Sequence, residues 1–152
     1  MEIKQPVSLS DWSNYYALRY EVLREPWSQP LGSEILNDED SAIHAMIVEN
    51  DIVLAVARLH EAEKGIGQVR CVAVATNQQG KGLGKLLMTY LEDEAKKRGF
   101  QQIVLEAREN AVPFYEKIGY KITKESYLLF GEIQHYTMLK EFIEVRSKKL
   151  EV

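Results

Sequence analysis

Gly80, Gly82 and Gly84 lead into Leu83, Leu86, Leu87, Tyr90, Leu91 and Ala95, whose three-and-four spacing marks an amphipathic helix ending at Gly99. Upstream, Gln68 to Ala75 reads as a β-rich run. Strand, glycine loop and helix in that order constrain the chain more than any other stretch. The opening turn of such a helix presents backbone N–H groups without intrahelical partners, at the positive end of the macrodipole. That arrangement captures phosphate. The macrodipole contributes roughly 0.3 to 1 kcal/mol, up to about 2 when partly buried, so direct N–H bonds and the nearby Lys81 and Lys85 must supply much of the affinity. The same glycines would also serve a plain tight turn, but three at alternate positions before a strong helix favour anion binding.

The remaining composition narrows the class. At 152 residues, 45% of them hydrophobic, the chain is long enough for one core, and no internal repeat or Gly/Ser/Pro-rich linker divides it. A single domain over residues 1–152 is expected. Nineteen Lys and Arg against 23 Asp and Glu leave a net charge of −4, which disfavours a globally basic nucleic-acid binder. The single cysteine, Cys71, excludes an intramolecular disulfide framework and any multi-cysteine metal site. His44, His60 and His135 show no metal-ligand spacing, so no metal is expected. The opening MEIKQPVSLSDW lacks a basic stretch followed by an apolar one, and nowhere do about 18 apolar residues run together. The expectation is a cytoplasmic protein without membrane partners.

Along the chain, Ile3 to Val7 reads as a first strand, and Ser8 to Ser10 offer capping oxygens for a helix carrying Trp12, Tyr15, Tyr16, Leu18 and Val22. Pro26 to Asp40 should be mostly loop. Ile43 to Glu49 and Ile52 to Leu59, joined by Asn50-Asp51, predict an antiparallel hairpin. After the glycine-loop helix, Gln101 to Ala107 predicts a strand, Ala111 to Ile118 a short helix closed by Gly119, and Gln134 to Glu141 a late strand. The alternation predicts an α/β fold whose sheet mixes parallel and antiparallel pairs.

Three kinds of phosphate loop compete. A Walker loop fails because Gln79 stands at its first glycine and Leu86 at its magnesium-binding hydroxyl. The dinucleotide fingerprint begins at Gly80 and Gly82, but Lys85 replaces its third glycine. Gln79-Gly80-Lys81-Gly82-Leu83-Gly84 matches the third pattern, Q/R-x-x-G-x-G/A, at every position. This loop, with Val72-Ala73-Val74 before it and the run Asn110-Ala111-Val112-Pro113-Phe114-Tyr115-Glu116-Lys117-Ile118-Gly119-Tyr120 after it, resembles the GNAT family of acetyl-CoA dependent N-acetyltransferases. Within it, Leu18-Arg19, the ARENAVPFYEKIGY run, Ile133, His135 and Met138 look most like the small ElaA-like group.

The resemblance implies a GNAT-type acyl-CoA N-acyltransferase fold, with a mostly antiparallel sheet, splayed central parallel strands and flanking helices. It implies that Gln79, Gly80, Lys81, Gly82, Leu83, Gly84 and Lys85 cradle the pyrophosphate of acetyl-CoA as co-substrate, that Val72, Ala73 and Val74 run along the pantetheine arm, and that Asn110 and Phe114 contact the cofactor. Tyr115 would bind beside the thioester and protonate the departing thiolate. A backbone N–H near Val72 or Ala73 would polarise the thioester carbonyl. The acceptor would be a primary amine on a small molecule, peptide or protein lysine, and a homodimer is compatible with the family. Against these roles, Val72 and Val74 could only pack and Asn110 could cap the short helix; Tyr115 could be a core aromatic, although its motif position favours the functional reading.

A lysine-like amine is neutral in only about one part in 2,500 at pH 7, a handicap of roughly 4.6 kcal/mol, so a general base is needed. Glu106 and His135 are the candidates, with His60 beside them. Strand alternation sets Cys71 with Val69 and Ala73, opposite Arg70, Val72 and Val74, which favours direct transfer in a ternary complex over an acyl-cysteine route. A non-catalytic CoA-binding or sensing module on the same fold is the alternative, and a nicotinamide-dinucleotide reductase ranks third. Charge is segregated: residues 20–63 hold ten acids against Arg24 and Arg58, whereas residues 64–102 hold seven bases against Glu92, Asp93 and Glu94. A cationic acceptor is thereby expected on the acidic segment, unless this is ordinary solvated charge.

Overall fold

A computed structural model describes residues 1–142; residues 143–152, included in the expected single domain, lie outside the described residues. The elements are β1 (Glu2–Lys4), α1 (Leu9–Leu23), β2 (Ile43–Glu49), β3 (Ile52–Glu63), β4 (Ile66–Val74), α2 (Leu83–Lys97), β5 (Gln102–Arg108), α3 (Val112–Lys117), β6 (Lys121–Leu129) and β7 (Ile133–Glu141). They make a mixed, mostly antiparallel α/β fold, as the sequence predicts. Among the described residues no helix is long and apolar enough to cross a membrane. The chain divides into two compact units.

The first unit comprises residues 1–60 and 69–93. Its strands run in the order β1, β2, β3, β4. β2 pairs antiparallel with both β1 and β3, with Ile3 opposite Ile47 and Ile43 opposite Leu59. Asn50 and Asp51, both at positive φ (52° and 64°), make the mirror-image turn whose twist suits a two-residue hairpin. α1 starts where a capping box forms. The Ser8 hydroxyl accepts from the Asp11 N–H at 3.0 Å, and the Asp11 carboxylate accepts back from the Ser8 N–H at 3.3 Å. From that start α1 lays Tyr15, Leu18 and Leu23 onto Met46, Val56 and Ala73 of the sheet. The segment between α1 and β2 is loop with two 3-10 turns, Glu25–Trp27 and Glu39–Ser41.

The second unit holds residues 61–68 and the described residues from 94 onward. β7 lies between β5 and β6, antiparallel to both, with Glu106 opposite Thr137 and Arg108 opposite His135. Sequence reasoning missed β6. Its side chains are exposed at nearly every position, so neither alternation nor an apolar run marks it. The legible signal was the Phe130-Gly131 turn, both residues at positive φ, with β-branched Ile122 and Thr123 upstream. Register shifts at 122/124 and 125/128 interrupt β6, a device that blunts an edge strand against association. Gly119 closes α3 at φ 103°, and a Cβ there would lie 3.2 Å from the Lys140 side chain.

Candidate active site

The glycine loop belongs to the first unit. Val72 and Val74 are half-buried, whereas the Ala73 side chain is enclosed in the core, so Ala73 can offer only its main chain. A 3-10 turn, Thr76–Gln78, ends the strand, and the Gln79 amide reaches back to the Val74 carbonyl at 3.4 Å. Gly80 and Gly82 then take φ of 79° and 82°, a region L side chains avoid, and among the described residues no atom lies within 4 Å of where a Cβ would stand. It is the positive φ, not a close neighbour, that calls for glycine here, and backbone reversed in this way is able to turn successive N–H groups toward an anion. Leu83, Gly84 and Lys85 form the first turn of α2, and Leu83 anchors it in the core. Lys81 bonds to Gln78 at 3.3 Å. In Gly82→Ala only backbone strain arises, on the order of 1–2 kcal/mol. CoA affinity measured by calorimetry should fall about tenfold, with part recovered in Gly82→Asn, because asparagine tolerates this region.

Cys71, in the same strand, has φ 59°. The side chain packs toward the core cluster with Ala73, as alternation predicts, but the reversed φ bends β4 at this residue, which alternation does not.

The second unit supplies the remaining predicted residues. Tyr115 on α3 is 7% exposed, edge-on to Phe114 and Tyr120. Burial pushes its phenol up to about 12, against the lowering influence of Arg108. Its hydroxyl makes no hydrogen bond among the described residues, leaving donor capacity for a ligand. Phe114 is half-buried and Asn110 exposed. Among the described residues no side chain caps α3 or the preceding 3-10 turn, whose N-cap positions are Ala111 and Arg108, so Asn110 does not act as a cap. On the face shared by β5 and β7, Glu106 Oε1 accepts from Ser126 at 2.7 Å and Thr137 at 2.8 Å, while its Oε2 is buried without a hydrogen-bond partner among the described residues.

The histidines differ in what their ring nitrogens have left to offer. In His44, Nδ1 meets the Tyr15 hydroxyl and Nε2 the Glu39 carbonyl, each at 2.7 Å. His60 accepts from Arg58 through Nδ1 at 2.9 Å and faces Asp38 through Nε2 at 3.4 Å. His135 donates from Nδ1 to the Ile133 carbonyl at 2.9 Å and stacks on Tyr127 at 4.6 Å, leaving Nε2 unbonded among the described residues. Burial, with Arg108, lowers its pKa, so the ring is neutral near pH 7 and Nε2 carries a lone pair.

Sequence reasoning missed a buried ionic network in the first unit. Arg19 and Arg58 are both 0% exposed. Arg19 donates to Glu39 Oε2 at 2.8 Å, the Glu34 carbonyl at 2.9 Å and the Tyr15 hydroxyl at 2.8 Å, with its guanidinium 5.0 Å from the Tyr15 and Tyr16 ring centres. Arg58 stands 2.8 Å from Asp38 and 3.4 Å from Glu39, within ion-pair distance of both. Burial alone would raise Glu39, but Arg19, the Leu36 N–H and Arg58 hold it below the ordinary carboxylate range. Arg58 holds Asp38 down at about 2. Only Leu18-Arg19 hinted at this, and charge counts do not reveal burial.

Comparison with known proteins places this architecture. Residues 10–120 match the family model "Acetyltransferase (GNAT) family". The chain is 28% identical over 126 residues to the uncharacterized N-acetyltransferase YjcF of Bacillus subtilis, covering 83% of this chain and 89% of that protein. It is 31% identical over 129 residues to glucosamine 6-phosphate N-acetyltransferase of Candida albicans, covering 76% and 86%. In fold it is similar to the crystal structure of Escherichia coli ElaA, with a TM-score of 0.81 at 21% identity over 92% of this chain and 99% of that one. On the family match over residues 10–120, this chain belongs to the GNAT acetyltransferase family.

Proposed function

We propose that the chain moves an acetyl group from acetyl-CoA to a primary amine by direct transfer, and that residues 1–152 act as one catalytic domain. The carrying observation is the loop Gln79–Lys85, whose two positive-φ glycines turn the backbone from the end of β4 into the start of α2. Bound there, acetyl-CoA supplies the activated thioester. The amides and lysines of the loop hold its pyrophosphate. The strand segment Val72–Val74 aligns the pantetheine arm, and Asn110 and Phe114 complete the contacts. A main-chain N–H near Val72 or Ala73 polarises the carbonyl. The amine nitrogen bonds to the carbonyl carbon as the C–S bond breaks. His135 Nε2, directly or through water, takes the proton from the amine, and Tyr115, the acid assigned to the leaving group, directs its hydroxyl proton at the sulfur as CoA departs as the thiolate. Glu106 is the second candidate base.

A primary-amine acceptor is supported by the name of the Candida relative, whose substrate is an amino sugar that also carries a phosphate. The preference for a positively charged acceptor rests instead on the acidic residues 20–63. A liberated-thiol assay across cationic, neutral and anionic amines tests this; equal turnover of all three, independent of salt, overturns the charge preference. Calorimetry should show acetyl-CoA and CoA binding at least tenfold tighter than NADH or ATP. Binding without turnover across the panel would point to the sensing module instead.

His135 predicts a pH signature. Because its folded pKa is lowered, the base is ready above the ordinary histidine range, and kcat/KM should fall on acidification only below about pH 6.5. In His135→Gln that acid limb should vanish along with most of the rate. A rate that survives in His135→Gln assigns the base to Glu106, tested by Glu106→Gln.

A further inference from the structure

We propose that Tyr127 is a positioning residue for acetyl transfer: a bulge in β6 turns it onto the face that carries Glu106 and His135, where its ring holds the His135 imidazole in one plane. That role rests on His135 being the base of the proposed transfer.

Glu106 opposes Thr137 and Arg108 opposes His135, so these four side chains stand on one face of β5 and β7. Between Glu125, opposite Tyr136, and Leu128, opposite Gln134, β6 takes three steps where β7 takes two. Ser126 and Tyr127 therefore both oppose His135, the two-against-one arrangement of a β-bulge. In a regular strand these neighbours would point to opposite faces. Here both reach the same one. The Ser126 hydroxyl donates to Glu106 Oε1 at 2.7 Å, and the Tyr127 ring stacks on His135 with centres 4.6 Å apart and planes 17° from parallel. The Gln134 side-chain amide donates to the Ser126 carbonyl at 3.4 Å and to the His135 carbonyl at 3.0 Å, which ties the bulge to β7.

Two restraints on the imidazole divide the task. The Nδ1 bond to the Ile133 carbonyl, at 2.9 Å, selects which nitrogen is left for the amine. One bond still lets the ring plane tilt, because the χ2 well of histidine is broad. A near-parallel ring packed against it removes that freedom. Tyr127 is 46% exposed and His135 only 4%, so the tyrosine is also the outer layer over a buried imidazole. An Nε2 lone pair fixed in direction has less entropy to lose on meeting the amine.

The test uses the full chain and reads the His135 ring and acetyl transfer side by side. The His135 Cε1–H resonance, assigned by its loss in His135→Gln, is titrated with pH in the free protein, and rates are measured with acetyl-CoA and the probe amines butylamine and lysine amide. Glu106 and Arg108, the charged groups acting on this ring, are untouched in Tyr127→Ala, so loss of cover alone should shift the resonance and raise its titration midpoint, with the acid limb of kcat/KM following. In the same variant kcat should fall about tenfold while KM for acetyl-CoA stays within about twofold. Tyr127→Phe keeps the ring and should restore both readouts. An unmoved resonance and midpoint in Tyr127→Ala, an undiminished kcat there, or a failure of Tyr127→Phe to restore them overturns the proposal, and the resonance decides even if neither amine is turned over. A rate that survives in His135→Gln instead strikes the base itself, and the positioning role falls with it.

Discussion

Tyr115→Phe should lower kcat for acetyl transfer about 100-fold while leaving the KM for acetyl-CoA within about twofold, since general-acid groups are commonly worth 10² to 10⁴. The substitution removes one oxygen and keeps the ring that packs on Phe114 and Tyr120, so the fold is unaffected. Burial sharpens the expectation. A phenol pushed up to about 12 is fully protonated when catalysis begins, but it is a weaker acid than a CoA thiol near 8.5. Complete transfer is then uphill by about 5 kcal/mol, so the hydroxyl acts mainly by hydrogen-bonding sulfur as charge builds there. Accordingly the alkaline limb of kcat assigned to this group should lie above pH 10. Unchanged kcat in Tyr115→Phe would remove the residue from the chemistry.

Arg19→Met should destabilise the protein by about 3 to 5 kcal/mol, read as a lower urea midpoint with unchanged slope. Removing one guanidinium strands Glu39, leaves the Tyr15 hydroxyl without its donor and unties the Glu34 carbonyl. Adding Glu39→Gln to that background should recover part of the loss, because the stranded charge goes with it. A loss under about 1 kcal/mol would mean that water reaches the carboxylate and screens it. Acid should mimic the lesion. Asp38, held at about 2, and Glu39, held below its ordinary value, stabilise the fold above the unfolded carboxylate range, and lose that contribution as pH falls through their lowered folded values. His44, lowered mainly by burial, has the same sign: its contribution is complete above about pH 6.5 and declines on acidification.

Much of the fold was legible because the deciding residues announce local geometry. Ser8 with Asp11, Asn50-Asp51, and the leucine spacing after Gly82 each fix an element from within a few positions. β6 was not, because an exposed edge strand has no buried face to impose a period. For the candidate site, the glycine loop could be read because its conformation demands glycine at two positions. The distinction among His44, His60 and His135 could not. It depends on Tyr15, which meets His44 only through tertiary pairing, and on which atom of Arg58 or Ile133 reaches the ring two residues along the same strand. Two fully buried arginines were equally invisible, since their anionic partners sit in a stretch that reads as polar loop.

That stretch, between α1 and β2, sets a limit on redesign. Its Asp38 and Glu39 are the counter-charges of cations rooted in α1 and β3, so the loop is chemically part of the scaffold that it overlies. Transplanting a homologous loop without two carboxylates at matching places would leave uncompensated charge beneath it, and the chimera would fail in folding before any change in ligand preference could be measured. Libraries aimed at this segment should therefore hold Asp38 and Glu39 fixed and vary residues 28–33, which carry neither counter-charge.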